Sequence, residues 1–384
     1  MSSFIKICLL SLLLPVVIGA QTSVITDSRG PGGYSITALD RVGQRTIGGY
    51  FDTEFVAEEK SDSTFKAHRV ILEFSSRLHE RLLFNSEIEF EYGGYVTNTD
   101  AASNVQKGEI KIEQAWFDYK ISDALVQRTG IVVVPFGRVN VLHDSDVRDL
   151  THRPLYAKKI VPTTWMDTGF GFHGVLDYGN TEINYQTYII NGLADTDGSA
   201  IDDISASNGI RKSRPNFKAD NNGDKAFVGR VGVSPKLGLE IGASLYSGKV
   251  DDGGHNALTM YGVDGFYKKG RYEVVGEFAQ AKIKKTGAPD TMYGGYLELR
   301  SHVLQDWLKE KTSFKSPVVT LIARNGLVNT DVDNDHKTYR HTFGVNFRPV
   351  ETVVYKLAYQ IDRNDQKSSD DSTTSIVGSL AVGF

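Results

Sequence analysis

An all-β transmembrane antiparallel β-barrel of about sixteen strands, with its third outer loop folded inward, is the fold class this sequence predicts. Three observations predict it. Apolar residues recur with a period of two in segments of roughly ten residues from Gly43 to Phe384. The links between these segments alternate between long, polar, acidic stretches and tight turns. Beyond residue 20 no stretch has the ~20 consecutive apolar residues that a transmembrane helix needs.

The chain starts with a targeting pattern. Lys6 supplies a positive n-region, Leu9 to Ile18 a short apolar core interrupted by Pro15, and Gly19-Ala20 a small-residue cleavage point. Residues 1–20 are therefore expected to be a signal peptide, residues 21–42 a polar, Gly-rich N-terminal extension, and residues 43–384 the barrel. The single cysteine, Cys8, lies in the signal segment, so the mature chain is expected to have neither disulfides nor a thiol nucleophile. With 38 Gly, 18 Tyr, 19 Phe and 23% charged residues, the composition is too polar for a helical membrane protein and too aromatic for a disordered one. A net charge of −4 lacks the basic excess of a nucleic-acid partner.

From Gly43 the strands follow in order. Ile47, Gly49, Phe51 and Phe55 share one face; Val70, Leu72, Phe74 and Leu78 share the next, opposed by Arg69, Glu73, Arg77 and His79. Leu82 to Tyr92 alternates against Glu87, Glu89 and Glu91. A strand around Phe117 follows, then an apolar run from Leu125 to Val134 whose phase is ambiguous. Pro135 removes a ladder donor and ends that run. Alternation resumes at Phe170 and continues, with a second long polar segment from Asn191 to Asp224, to the last strands ending at Val353–Ile361 and Ile376–Phe384. The tight links are His79–Arg81, Ser122–Ala124, Gly179–Thr181, Ser234–Lys236, Lys268–Gly270 and Pro349–Glu351; Val303 to Ser316 instead reads as a short helical turn around Trp307 and Leu308. Aromatics near strand ends, among them Tyr119, Tyr178, Tyr267, Tyr272, Tyr355 and Phe384, suit interfacial girdles. A pair of soluble β-sandwiches is the alternative, but it does not require long loops at one end only.

A barrel of this size is too wide for side chains to fill, so it holds water and its polar faces line a pore. Arg69, Glu73, Arg77, Arg340 and Arg348 are candidates for the pore wall. The stretch from Pro135 to Trp165 has no helical or strand period, and a loop of that length in a compact domain has a role. Folded inward, it would narrow the pore. It carries five basic residues, Arg138, Arg148, Arg153, Lys158 and Lys159, against three acids, Asp144, Asp146 and Asp149. The expectation is a passive diffusion channel for small hydrophilic solutes with a weak preference for anions, phosphate or similar. The competing class is a surface structural protein or adhesin anchored by the barrel, which would carry very large outer loops.

Three motifs admit other chemistry. Gly169-Phe-Gly171-Phe-His-Gly174 matches a dinucleotide fingerprint, but Phe170, Phe172 and Leu176 alternate as in a strand, and glycines there would let the inserted loop pack close to the wall. His143-Asp144-Ser145-Asp146 lacks a second His or Cys cluster; a loop held by ion pairs, such as Asp149 with Arg148 or Arg153, is the plainer reading. Asp195-Thr-Asp197-Gly198 with Asp202-Asp203, and Asp331-Val-Asp333-Asn-Asp335, have calcium-like spacing without the closing Glu. No catalytic residue, cofactor or metal is expected.

The run Glu113-Gln114-Ala115-Trp116-Phe117, with Gly130, Pro135-Phe136-Gly137, Asn140, His143, Val161-Pro162-Thr163-Thr164-Trp165, Gly169, Gly171 and Asn191-Gly192, resembles the phosphate-selective porin O and P family of Gram-negative outer membranes. The resemblance implies a trimeric porin in outer-membrane lipid, with the third loop as constriction and basic residues on loop and wall. It adds Asn140 and His143 to the constriction, and it gives the terminal Phe384 the role of a signal read by the barrel-insertion machinery. This sequence departs from the pattern in one respect: acids are interspersed on the third loop and no row of lysines stands out.

Overall fold

The computed structural model describes residues 45–94, 108–194, 204–214, 217, 223–251, 255–365 and 371–384. Sixteen strands form one closed antiparallel barrel in which each strand pairs with its sequence neighbours and the last with the first. They are β1 Arg45–Glu58, β2 Thr64–His79, β3 Leu82–Glu91, β4 Glu109–Ser122, β5 Leu125–Val133, β6 Met166–Tyr178, β7 Thr181–Ile190 and β8 Ala226–Lys236 in the first half. The second half comprises β9 Leu239–Lys249, β10 Ala257–Lys269, β11 Tyr272–Lys284, β12 Thr291–Val303, β13 Val318–Asn329, β14 Lys337–Val350, β15 Val353–Asn364 and β16 Asp371–Gly383. Closure runs from Tyr50↔Gly383 to Glu58↔Ser375, and Phe384 extends it by donating its N–H to Gly49 O at 2.9 Å. No sheet edge is left, which is the condition for crossing hydrocarbon with strands.

The alternation read from the sequence places one face outward. Ile47, Val70, Ile241, Val263, Leu297, Leu299, Leu321 and Phe343 are exposed on the outer surface, an apolar belt suited to lipid. Tyr119, Tyr178, Tyr267 and Tyr272 are exposed near the short-turn ends of their strands, and Phe347 stacks on Tyr355 at 6.4 Å. The long link between β12 and β13 contains α3, Gln305–Lys311, as its composition predicted. Residues 1–44, which include the segments expected to be a signal peptide and an extension, and the acidic segment Asp195 to Asp203 lie outside the described residues.

Some expectations shift. The strand after the third loop starts at Met166 rather than Phe170, and the loop itself contains two single-turn helices, α1 Arg138–Val141 and α2 Tyr156–Lys159. Gly169 to Gly174 lies within β6 as expected, but the glycines do not receive the loop. A Cβ at Gly169 or Gly171 would strike the backbone and the Ile190 and Tyr188 side chains of β7. The glycines that receive the loop lie across the bore: Gly262 under Phe136, Gly294 under Ile160 and Gly344 under Leu150.

Two irregularities in pairing matter below. Between Asp52↔Arg69 and Thr53↔Ala67, residue 68 has no partner; between Glu87↔Gln114 and Ile88↔Ile112, residue 113 has none. Each is a β-bulge that turns an extra side chain inward. The two residues are His68 and Glu113.

Candidate functional site: the third loop across the bore

Asn140 holds the two ends of the third loop together. Its amide nitrogen donates to Val134 O at 2.8 Å and to Trp165 O at 3.0 Å, and its amide oxygen accepts from Trp165 N–H at 2.9 Å. It is fully buried, so it fixes the loop and does not meet solute; its expected place on the constriction surface is corrected. Gly137, at φ 70°, turns the chain after Pro135-Phe136 where a Cβ would lie 2.6 Å from Glu277 Oε2. Its N–H donates to Ser244 Oγ on β9 at 3.1 Å.

Beyond this turn the loop reaches wall strands on both sides of the bore. Arg138 pairs with Glu240 of β9 at 3.0 Å and lies over the Phe266 ring of β10. Tyr50 of β1 donates to Asp144 Oδ1 at 3.2 Å, and Lys356 of β15 donates to Ser145 O. Asp149 pairs with Arg300 of β12 at 2.9 Å and with Arg348 of β14 at 3.3 Å, not with Arg148 or Arg153 as expected. Burial works against its charge, but those two guanidiniums outweigh it and hold the carboxyl below the usual range. Arg348 also donates to Asp146 O at 2.9 Å. Thr151 meets Ser379 of β16 at 3.0 Å, His152 meets Gln360 of β15 at 2.8 Å, and Arg324 of β13 donates to His152 O at 2.7 Å. Desolvation, then Lys158, pushes His152 down to about 3, so it is a neutral donor to Gln360.

An apolar core fastens the loop on one side. Phe136, Val139, Leu155, Tyr156, Ile160, Val161 and Trp165 pack on inward residues of β8 to β13, including Val228, Tyr246, Leu258, Met260, Ala279 and Met292. Trp165 meets the Tyr246 ring edge-on at 5.1 Å. Between loop and β10–β13, Arg138, Arg148, Arg300 and Arg324 with Asp149, Glu277 and Glu298 line a cavity of about 140 Å³.

Ion pairs and hydrogen bonds hold Arg138, Asp144, Asp149 and Arg348 against the wall or loop, and Lys159 donates to Ser207 O of the fourth loop. His143 is buried, its Nδ1 on Asn140 O at 2.8 Å and its Nε2 3.7 Å from both Glu113 and Asp144. Arg69 pairs with Glu89 and Glu91 of β3, and Arg340 forms a two-pronged bond to Asp362 of β15. Glu73 is exposed on β2, and Arg77 lies nearer the short-turn end of that strand.

Arg148, Arg153 and Lys158 form a cationic group. Desolvation, then Arg148, Arg69 and Arg211, brings Arg153 down to about 9. Desolvation, then Arg340, Arg211 and Arg153, brings Lys158 down to about 8. Lys158 is nevertheless open to lumen water, which moderates its desolvation. Arg211 and Arg214 come from the fourth loop, which the sequence reading treated as an outer polar segment. Arg211 donates to Thr163 O, and Arg214 to Thr164 O at 2.8 Å, clamping the end of the third loop. Their signal in the sequence is Arg211-Lys-Ser-Arg214, basic among acidic outer loops. Asp52 and Glu54 of β1 oppose Arg148, Glu54 also opposes Lys158, and Glu89, Glu91, Glu109 and Glu113 of β3 and β4 oppose Arg211 and Arg214.

In the second calcium-like group Asp331 accepts from Asn334 N at 3.1 Å and Nδ2 at 2.7 Å, and Asp335 pairs with Lys337 at 2.6 Å; the first group lies outside the described residues.

The profile of the family described as "Phosphate-selective porin O and P" matches residues 41–384. An uncharacterized protein of Aquifex aeolicus (strain VF5) is 27% identical over 352 residues, 85% of this chain and 77% of its own length. The fold is similar to that of the anion-selective porin from Comamonas acidovorans, with a TM-score of 0.57 at 14% identity over 89% of this chain and 100% of that one. It is also similar to Pseudomonas putida OprB, with a TM-score of 0.54 at 10% identity over 89% and 94%. The trimer form of Vibrio cholerae OmpT gives a TM-score of 0.51 at 11% identity over 90% and 100%. The chain belongs to the phosphate-selective porin O and P family: it is a channel of the Gram-negative outer membrane, not an enzyme.

Proposed function

We propose that the channel passes small hydrophilic solutes with a weak preference for anions, phosphate or similar, and that the third loop sets this preference. The observation carrying the reading is the cationic group Arg148, Arg153 and Lys158, joined by Arg211 and Arg214 from the fourth loop. Charges at a constriction decide selectivity because ions pass within a Debye length, ~8 Å at physiological salt. The acids of β1, β3 and β4 oppose these cations, so the preference is modest and shrinks in high salt. Reversal potential under a KCl gradient tests it. Wild type should favour chloride, and Arg148→Glu with Arg153→Glu should favour potassium. A cation-preferring wild type, or unchanged selectivity in the double variant, would remove the third loop from this role.

The same reading makes the protein a homotrimer assembled by the barrel-insertion machinery. Phe384 is exposed and extends the closing seam through its backbone bonds to Gly49. A trimer band that converts on heating should appear on SDS gels, and deletion of Phe384 should deplete it. A normal amount of folded trimer in the deletion would contradict that role for Phe384.

A further inference from the structure

We propose that Asp52, Glu54 and His68 bind one divalent transition-metal ion on the lumen wall beside the third loop. One carboxylate oxygen of each acid and a ring nitrogen of His68 lie within 4.8 Å of one another. Asp52 and Glu54, two apart on β1, project from its inward face, and His68 joins them only because the bulge in β2 turns it inward. His68 Nδ1 lies 2.8 Å from Asp52 Oδ1 and 3.3 Å from Glu54 Oε1. Metal bonds of ~2.0–2.1 Å at tetrahedral angles set donors about 3.3 Å apart, so small side-chain shifts suffice.

The charge balance supplies a second, independent reason. Asp52 and Glu54 are 2% and 7% exposed, and among the described residues His68 is the one cationic side chain whose ion pairs reach them. The guanidinium of Arg69 is directed at Glu89, at 2.9 Å, and Glu91, at 3.3 Å. Its Nη2 also lies 3.2 Å from His68 Nε2, and since arginine only donates, that nitrogen is the acceptor and Nδ1 carries the proton. The imidazole is then neutral. Arg69 offsets Asp52, and Arg148 offsets both carboxylates, only through space, and a cation in direct contact with two dehydrated carboxylates is more effective. A divalent ion bound between them supplies that direct contact. On binding, the metal takes the Nδ1 lone pair, the ring proton moves to Nε2, and Arg69 Nη2 keeps its bond to Glu91; no proton is released. One nitrogen and two carboxylate oxygens, with solvent completing the shell, suit zinc or a neighbouring first-row ion over magnesium.

Zinc chloride titrated calorimetrically into the folded, detergent-solubilised protein tests the site without reference to conduction. One Zn²⁺ should bind per protomer, magnesium in excess should not displace it, and His68→Gln and Glu54→Gln should each weaken it at least about tenfold. Each variant is first shown to fold by its heat-convertible gel band. Absence of stoichiometric zinc binding in the wild type would overturn the proposal, as would wild-type affinity in either folded variant.

Discussion

From β8 to β13 the lumen face carries Val228, Tyr246, Leu258, Met260, Ala279 and Met292, and the third loop lays Phe136, Tyr156, Ile160 and Trp165 on them. From β1 to β4 the same face carries Asp52, Glu54, Arg69, Glu89, Lys111 and Glu113, held in a lattice of ion pairs. One arc is packed like a globular interior; the other is lined with charge. A wide barrel can thus place a loop firmly by giving up part of its polar inner face. The loop then holds its cations opposite the charged arc. Burial of aromatic rings supplies the holding energy, and the polar contacts with β1 and β12 to β16 set direction.

Three variants sharpen this comparison. The largest effect should come from Trp165→Ala, which removes a fully buried ring from the packed arc at a cost of about 3–5 kcal/mol. Single-channel recordings should then show a larger, noisier conductance, and the heat-convertible band should convert at lower temperature; an unchanged conductance would mean that the loop stays without its core. Reversal of Arg148 and Arg153, given above, should change ion preference, and it also removes their bonds to Thr151 O, Ser145 Oγ and His143 O.

The smallest effect concerns Lys158. Its ammonium, lowered to about 8, loses its charge as pH rises from ~7 to ~9, so anion preference should decline across that interval. Lys158→Met should start lower and decline less, the remaining decline coming from Arg153. The sign for stability is opposite: the unfolded lysine, near ~10.4, binds more protons than the folded one between these values, so stability rises with pH there. A pH-independent wild-type selectivity would exclude Lys158 from the constriction.

The contrast between arcs also explains what could be read from the sequence. Strand number, long and short ends and the inserted loop were legible because alternation, turn length and Pro135 are local. The packed arc was not. On β11, Val275, Ala279, Ala281 and Ile283 point inward while Val274 and Phe278 point outward, so an apolar run on both faces hides its phase. The same cause made the phase of β5 ambiguous, since Val132 is buried in the core. His68 and Glu113 point inward through bulges, and pairing register is not written in one strand alone. Asn140 was legible as important through the resemblance, but its role as the bond between the loop's two ends became plain only once Val134 and Trp165 stood side by side.

That the third loop crosses the bore to the far wall can be tested by a cross-link. Thr151 Oγ1 and Ser379 Oγ are 3.0 Å apart although the residues are 228 positions apart in sequence, close enough for a disulfide after small adjustment. The chain's single cysteine, Cys8, lies in the expected signal segment, so Thr151→Cys with Ser379→Cys introduces an isolated pair. In folded barrels the pair should oxidise nearly completely, seen as a reductant-sensitive mobility shift after boiling, with wild-type single-channel conductance before and after reduction. Folded barrels that remain uncrosslinked, or a conductance that collapses on oxidation, would contradict a loop held across the bore.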